Sequence, residues 1–268
     1  MDSRLATAVG RFAGLFGIFV LLGVTPAAAG GVAPDGVIEL DQSCALSGCA
    51  TGGDLPGFPI DIVLDGHYRL TGNLTNSDGG VNAITIAQGA RVTIDLNGFV
   101  IRGAYGCPTS PPNCPALAGY GIRLGLAGWM TLRNGTITGI GNSAILLDTS
   151  SIATVEQVTI SHVGSRGIDA RNHVTVRDST IYGTQGDGIH ALFARISDTR
   201  VFSTRGDGVE ITDRGLVSGL ETNNTFNASL RLHPTLGAYT LCRLDGIPVG
   251  GLNFGDNACA SSGNGICP

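Results

Sequence analysis

GIDARNHVTVRDSTIYGTQ (residues 167–185), GDGIHALFARISDTRVFSTR (186–205) and GDGVEITDRGLVSG (206–219) carry one pattern three times in succession. In each, an aliphatic residue (Ile168, Ile189, Val209) precedes an ionisable one (Asp169, His190, Glu210) and then another apolar one (Ala170, Ala191, Ile211). Side chains that alternate in this way belong on a β-strand, because successive residues point to opposite faces. The pattern reaches outward in both directions. Ile84, Ile122, Ile145, Ile168, Ile189, Val209 and Leu230 recur at intervals of 38, 23, 23, 21, 20 and 21 residues. A second series, Ile94, Leu132, Val155, Val176, Ile196 and Val217, keeps step at 38, 23, 21, 20 and 21.

The apolar runs are about five residues long and break at Gly, Asn or Asp, too short for a helical face of at least three turns. Each unit repeats its inward and outward positions in the same order, so the strands do not form hairpins. They stack: three short strands joined by bends make a coil, and each coil hydrogen-bonds to the next at about 4.8 Å. The expected fold is all-β, a single-stranded parallel β-helix of about eight coils. The 38-residue interval requires an insertion, and 103–119, with Cys107, Cys114 and four prolines, supplies a loop pinched at its base. Open coil ends invite aggregation unless covered. Residues 30–65, with Val37-Ile38-Glu39-Leu40 and the Cys44–Cys49 segment, are the expected N-terminal cap. The repeats occupy 66–250, and 251–268 form a cysteine-bearing tail.

Arg4 and Arg11 precede an apolar run from Phe12 to Val24, and Ala27-Ala28-Ala29 offers a small-residue cleavage site. Residues 1–29 thus read as a secretory signal peptide, the run being shorter than the roughly 20 residues needed to span a bilayer. No second apolar span follows, so no membrane segment is expected after its removal. The chain carries a formal charge of −5, contains no Lys and has no basic cluster, which argues against nucleic acid or an anionic membrane as partner. A lysine base is excluded. The seven cysteines all lie beyond the leader. Six fall into near couples, Cys44 with Cys49, Cys107 with Cys114 and Cys259 with Cys267. Local disulfides are the simplest pairing for an exported chain, although six cysteines alone permit 15. Cys242 is left over, either as a small buried residue or in exchange with the C-terminal pair. No C-x-x-C pair or phosphate-binding loop is present, and neither metal nor cofactor is expected. His67, His162, His173 and His233 are scattered, and the sequons at Asn73, Asn134, Asn223 and Asn227 matter only in a eukaryotic secretory route.

PGFPIDIVLDGHYRLTGNL (56–74), VTIDLNGFVIRG (92–103), TLRNGTITG (131–139), GDGI (186–189) and the ending GLNFGDNACASSGNGICP (251–268) together span nearly all of the chain beyond the leader. In them the sequence resembles the right-handed parallel β-helix proteins of the pectate-lyase-like superfamily, in particular exported bacterial members without an assigned activity. The resemblance implies the right-handed coil and an extracytoplasmic, carbohydrate-facing habit, and little about chemistry.

Stacking turns the repeats into outward ladders. Asp95, Arg133, Glu156 and Arg177 alternate in sign beside Thr93, Thr131, Thr154 and Thr175, as a stabilising surface ladder would. A second ladder holds Asp169, His190, Glu210 and Arg231, preceded by Arg123 and Leu146, with Asp187 and Asp207 two residues ahead of Ile189 and Val209 on their own coils. Asp187 and Asp207 should lie one coil spacing apart, and Asp169 and Glu210 about 10 Å apart with His190 between. Glycoside hydrolysis uses a carboxyl pair at roughly 5 Å or 6.5–9.5 Å. Crowding should raise at least one of these carboxyls and keep His190 protonated nearer neutrality. Asp187, Asp207, Asp169, His190 and Glu210 are therefore candidate acids and bases, with Arg231 and Arg123 as substrate-binding candidates. In the lyases of the resembled superfamily an arginine acts as base. This chain lacks their compact calcium-holding Asp cluster and the full polygalacturonase motif set. The same residues also read as a solvated ladder, with Asp187 and Asp207 as turn residues before Gly188 and Gly208. Two functions remain in play: a non-catalytic carbohydrate-binding or surface-interaction protein, and a polysaccharide hydrolase, lyase or epimerase.

Overall fold

The computed structural model describes residues 35–50, 53–106, 117–260 and 267. Every strand pairing in it is parallel, and the strands fall into three sheets that run the length of a β-solenoid of about eight turns. Sheet one begins at Ile60–Ile62 and passes through Ile84–Ile86, Ile122–Leu124, Ile145–Leu147 and later coils to Leu230–Leu232. Its interior column is Ile60, Ile84, Ile122, Ile145, Ile168, Ile189, Val209 and Leu230, each directly paired with the next and each 0% exposed. Sheet two stacks Ile38, Tyr68, Ile94, Leu132, Val155, Val176, Ile196, Val217 and Tyr239. Sheet three stacks Leu74, Ile101, Ile137, Ile160, Ile181, Val201 and Thr222. Both series read from the sequence are thus two of the three interior columns. The stacks bury all but the edges of their aliphatic side chains, at about 25 cal/mol per Å² of apolar surface.

Parallel pairing extends past the expected limits of 66–250. Ile60–Ile62 already belongs to sheet one, Ile38–Leu40 pairs with Tyr68–Leu70, and Ala258–Cys259 pairs with Arg243–Leu244. The cap and tail are therefore partly coil, since even a two- or three-residue strand satisfies an otherwise open edge. A helix, Gln42–Ser47, covers the first coil by placing Cys44 and Ala45 at 0% exposure. Asp41 caps it by accepting from the Cys44 N–H at 2.8 Å. Disulfides join Cys44 to Cys49 and Cys259 to Cys267, with Cα separations of 4.9 and 5.0 Å. Cys242 is free and buried. The leader and the Cys107–Cys114 couple lie outside the described residues. Among the described residues no helix is long and apolar enough to cross a membrane.

The corner between sheets two and three explains the recurrent Asn and Asp. Asn97, Asn134, Gln157, Asp178, Asp198, Gly219 and Leu241 all have φ between 47° and 62°. This left-handed region costs most side chains about 1–2 kcal/mol and Asn, Asp and Gly least. Before sheet one the constraint is different. A Cβ on Gly188 would meet the Gly208 carbonyl oxygen at 2.5 Å, and one on Gly208 the Ser229 oxygen at 2.4 Å. Close approach of consecutive coils therefore explains why Asp187 and Asp207 are each followed by glycine.

Candidate functional site

The outward row of sheet one stands in the expected order. Arg123, Leu146, Asp169, His190, Glu210 and Arg231 pair in sequence. The structure splits this row. Leu146 is 2% exposed, and beyond it Arg123 donates to Asp148 from Nε at 3.1 Å and Nη2 at 2.9 Å. Arg123 therefore stands apart from the other six candidates, held by a carboxylate that the sequence reading did not single out.

The remaining six form a connected charge network with Arg166. His190 Nδ1 lies 3.3 Å from Asp169 Oδ1, and its Nε2 lies 3.7 Å from Glu210 Oε2. Arg166 bridges Asp169 at 3.3 Å and Asp187 at 3.0 Å. Asp187 Oδ1 accepts the Asp207 N–H at 2.8 Å. Asp207 Oδ1 accepts the Ala228 N–H at 2.9 Å, and its Oδ2 accepts from Arg231 Nε at 2.5 Å. Each aspartate thus clips its own turn to the backbone of the next coil. With its side chain 5% exposed and both oxygens engaged by the Ala228 N–H and the Arg231 guanidinium, Asp207 is poorly placed for proton transfer with a ligand. Carboxylate oxygens of Asp187, Asp207 and Glu210 lie within 4.8 Å of one another, close to a retaining carboxyl pair. Arg231, which also lies 3.8 Å from Glu210, already supplies that trio with a cation.

The expectation of a raised carboxyl is reversed at Asp169. Burial pushes it up, but the hydrogen bond with His190 and the charge of Arg166, with smaller help from His190 and Arg171, hold it below its ordinary value. Burial likewise works against charge on Arg166, yet Asp169 and Asp187 keep its guanidinium more firmly protonated than usual. Glu210 differs from its neighbours. It accepts no hydrogen bond among the described residues, and its side chain is 25% exposed.

A second candidate row, on sheet two beside the threonine and charge ladders, was not singled out from the sequence. Three residues before each marker of sheet two comes an outward position, and these positions read Arg91, Trp129, Ile152, His173, Phe193, Arg214 and Leu236. The first five are consecutive partners in the ladder. Beside them run Thr93, Thr131, Thr154, Thr175, Arg195 and Leu216. The guanidinium of Arg91 lies 5.4 Å from the Trp129 ring centre and that of Arg214 lies 5.3 Å from Phe193. Two shallow clefts open here, one of about 350 Å³ around Arg91, Trp129 and the threonines, the other of about 390 Å³ around His173, Phe193, Arg195 and Arg214. The constant three-residue offset was the signal available in the sequence. It was missed because the outward residues differ in kind from coil to coil.

Most described arginines pair with a carboxylate, and the exceptions gather on this face, with Arg102 of sheet three besides. Across the solenoid Arg69, Arg133, Arg166, Arg177, Arg200 and Arg231 each sit against a carboxylate. Among the described residues, neither the Arg91 nor the Arg195 guanidinium has such a partner, and Arg214 reaches Asp213 only at 3.7 Å. From Arg91 to Leu236 neither row contains Asp or Glu. Asp65, one coil earlier, is occupied by the Arg91 N–H at 2.7 Å. On sheet three the aromatics serve a different end: Tyr182 and Phe202 stack on each other at 4.9 Å, with planes 3° apart, so they cover each other's faces.

No curated protein and no solved structure matches the chain. Residues 120–231 match the family model for the right handed beta helix region. With parallel coils continuing that segment on both sides, the chain is a right-handed parallel β-helix protein, consistent with the pectate-lyase-like superfamily.

Proposed function

We propose that this is an exported, non-catalytic protein that binds a polysaccharide along sheet two. The observation that carries the reading is the acid-free double row with Trp129, Phe193 and ion-unpaired Arg91 and Arg195 on an otherwise acidic chain. Exposed ring surface suits the apolar faces of sugars, threonine hydroxyls suit their hydroxyls, and unneutralised guanidinium groups favour chains bearing acidic groups. Export is supported by the leader-like N-terminus and by two local disulfides, which persist in oxidising compartments. The absence of cleavage is supported by the use of Asp187 and Asp207 as backbone clips.

Trp129 is the chain's single tryptophan, so intrinsic fluorescence reports directly on the face. Titration with a panel of neutral and acidic polysaccharides should change its emission with at least one, while reducing-sugar and unsaturated-uronate assays stay flat. Binding that leaves Trp129 emission unchanged and survives Trp129→Ala would move the site elsewhere. Turnover of any polysaccharide would overturn the non-catalytic reading.

Glu210 supports a second reading. Partly exposed, free of backbone donors among the described residues and 3.7 Å from His190, it is the carboxylate of the patch best placed for acid–base chemistry. Should turnover appear, Glu210→Gln ought to abolish it, and an unchanged rate would clear sheet one.

A further inference from the structure

The two clefts of sheet two are built alike, and their spacing limits what can fill both. Each pairs an aromatic ring with a guanidinium supplied by an adjacent coil: Arg91 with Trp129 from the coil before, Arg214 with Phe193 from the coil after. Trp129 and Phe193 stand on the same outward row, three coil steps apart through Ile152 and His173. At about 4.8 Å per step the stations are ~14 Å apart, and the two arginines, five steps apart, about 24 Å. Between them the row carries Ile152 and His173, neither bearing a negative charge, and the parallel row presents Thr154 and Thr175.

Resting on the binding role proposed above, we propose that Arg91–Trp129 and Arg214–Phe193 are two stations for one unbranched glycan chain laid along the solenoid axis. A ligand that reaches one station binds through one ring and one guanidinium. A chain longer than ~14 Å engages the second as an intramolecular event, and the gain from such linkage is commonly 10²-fold or more. The site therefore selects for chain length and extended shape rather than for a terminal sugar. The solenoid supplies the required rigidity, because both stations sit on strands of one continuous sheet and their separation is set by backbone hydrogen bonds.

The test is a titration of the intact protein with size-fractionated linear oligouronates, from the dimer upward, followed by Trp129 emission and by calorimetry. Affinity should rise in a step of about 10²-fold once the extended oligomer exceeds ~14 Å, and then level off. Phe193→Ala should erase the step while leaving the short-oligomer affinity and its Trp129 signal in place. Arg214→Gln, at an exposed position, should lower the step with little effect on folding, whereas Arg133→Gln, on the neighbouring charged row, should leave it intact. Affinity that is the same at all lengths, or that climbs smoothly through the threshold, overturns the two-station inference while the binding role survives. Binding at no length overturns the two-station inference, and the binding role falls with it if the wider polysaccharide panel also leaves Trp129 emission unchanged.

Discussion

Replacing Asp207 separates a structural clip from a catalytic acid, because the two roles predict opposite orders of effect. In Asp207→Ala the Ala228 N–H, at 8% exposure, loses its acceptor, and an unsatisfied buried donor costs about 1–3 kcal/mol. The Arg231 pair goes as well. With the arginine side chain 40% exposed, that part is screened and adds at most about 1 kcal/mol. The expected loss is roughly 1–4 kcal/mol, and at about 2–4 °C per kcal/mol for a chain of this size the melting point should fall by roughly 2–16 °C. Asp207→Asn keeps an acceptor for Ala228 and surrenders only the charge, so it should cost about 1 kcal/mol, or 2–4 °C. Glu210→Gln, which removes no backbone bond, should stay within about 0.5 kcal/mol of the parent. Thermal melts followed by far-ultraviolet circular dichroism give all three. If Asp207→Ala melted indistinguishably from the parent, the clip would carry no energy and the case for a structural Asp207 would fail.

Acid should weaken the C-terminal coils through Asp245. Burial raises its carboxyl, but hydrogen bonds from Ser229, Thr225 and Thr222 outweigh burial and hold it below its ordinary value. A depressed carboxyl stabilises the folded state above its unfolded pKa and loses that contribution as pH falls through the folded one. Asp245→Asn should therefore lower stability near neutrality and flatten the acid limb of a stability–pH curve, and an unchanged limb would refute this. At the left-handed corner, Leu241 has φ 53°, so Leu241→Gly should stabilise by up to about 1 kcal/mol, read as a higher denaturant midpoint. The Cys242 thiol is 2% exposed and burial pushes its pKa up. Its alkylation should therefore track unfolding, and rapid labelling of the native protein would contradict the burial.

The fold was legible because interior columns are aliphatic at nearly every coil, and Ile is repeated so often in sheet one that the register can be counted off the sequence. Sheet three was harder to see. Its column runs from Leu74 through Ile181 to Val201 and then reaches Thr222, so the apolar signal fades before the end of the solenoid. The αL corner left its mark as Asn97, Asn134, Asp178 and Asp198, yet Gln157 and Leu241 hold the same conformation and break the pattern. The charged row of sheet one could be ordered from sequence, but what each carboxylate holds could not. Asp187 and Asp207 look like free acids in one dimension, and only stacking brings the N–H groups of Asp207 and Ala228 onto them. Arg166 was overlooked for the same reason: it precedes Gly167 as Asp187 precedes Gly188, and the equivalence emerges only when those glycines are seen as one column.

In a solenoid, residues that stabilise and residues that recognise sit on the same kind of outward row, so position alone does not distinguish them. Saturation does. On the outer edge of sheet two the charges close on themselves: Glu39 with Arg69, Asp95 with Arg133, Glu156 with Arg177. Ladder pairs of this kind contribute a few tenths to about 1 kcal/mol each and leave little unspent for a ligand. Two rows across, beyond the threonines, the same sheet presents Arg91, Trp129, Phe193 and Arg214, two cations that reach rings in place of close carboxylates. A cation over an exposed ring gains only about 0.5–1 kcal/mol, less than a charge-assisted hydrogen bond would return to the same guanidinium. An arginine left in that condition beside a cleft retains donors for an incoming acid. For this reason the proposed binding face lies on the rows where charge is left open and away from the rows where it is densest.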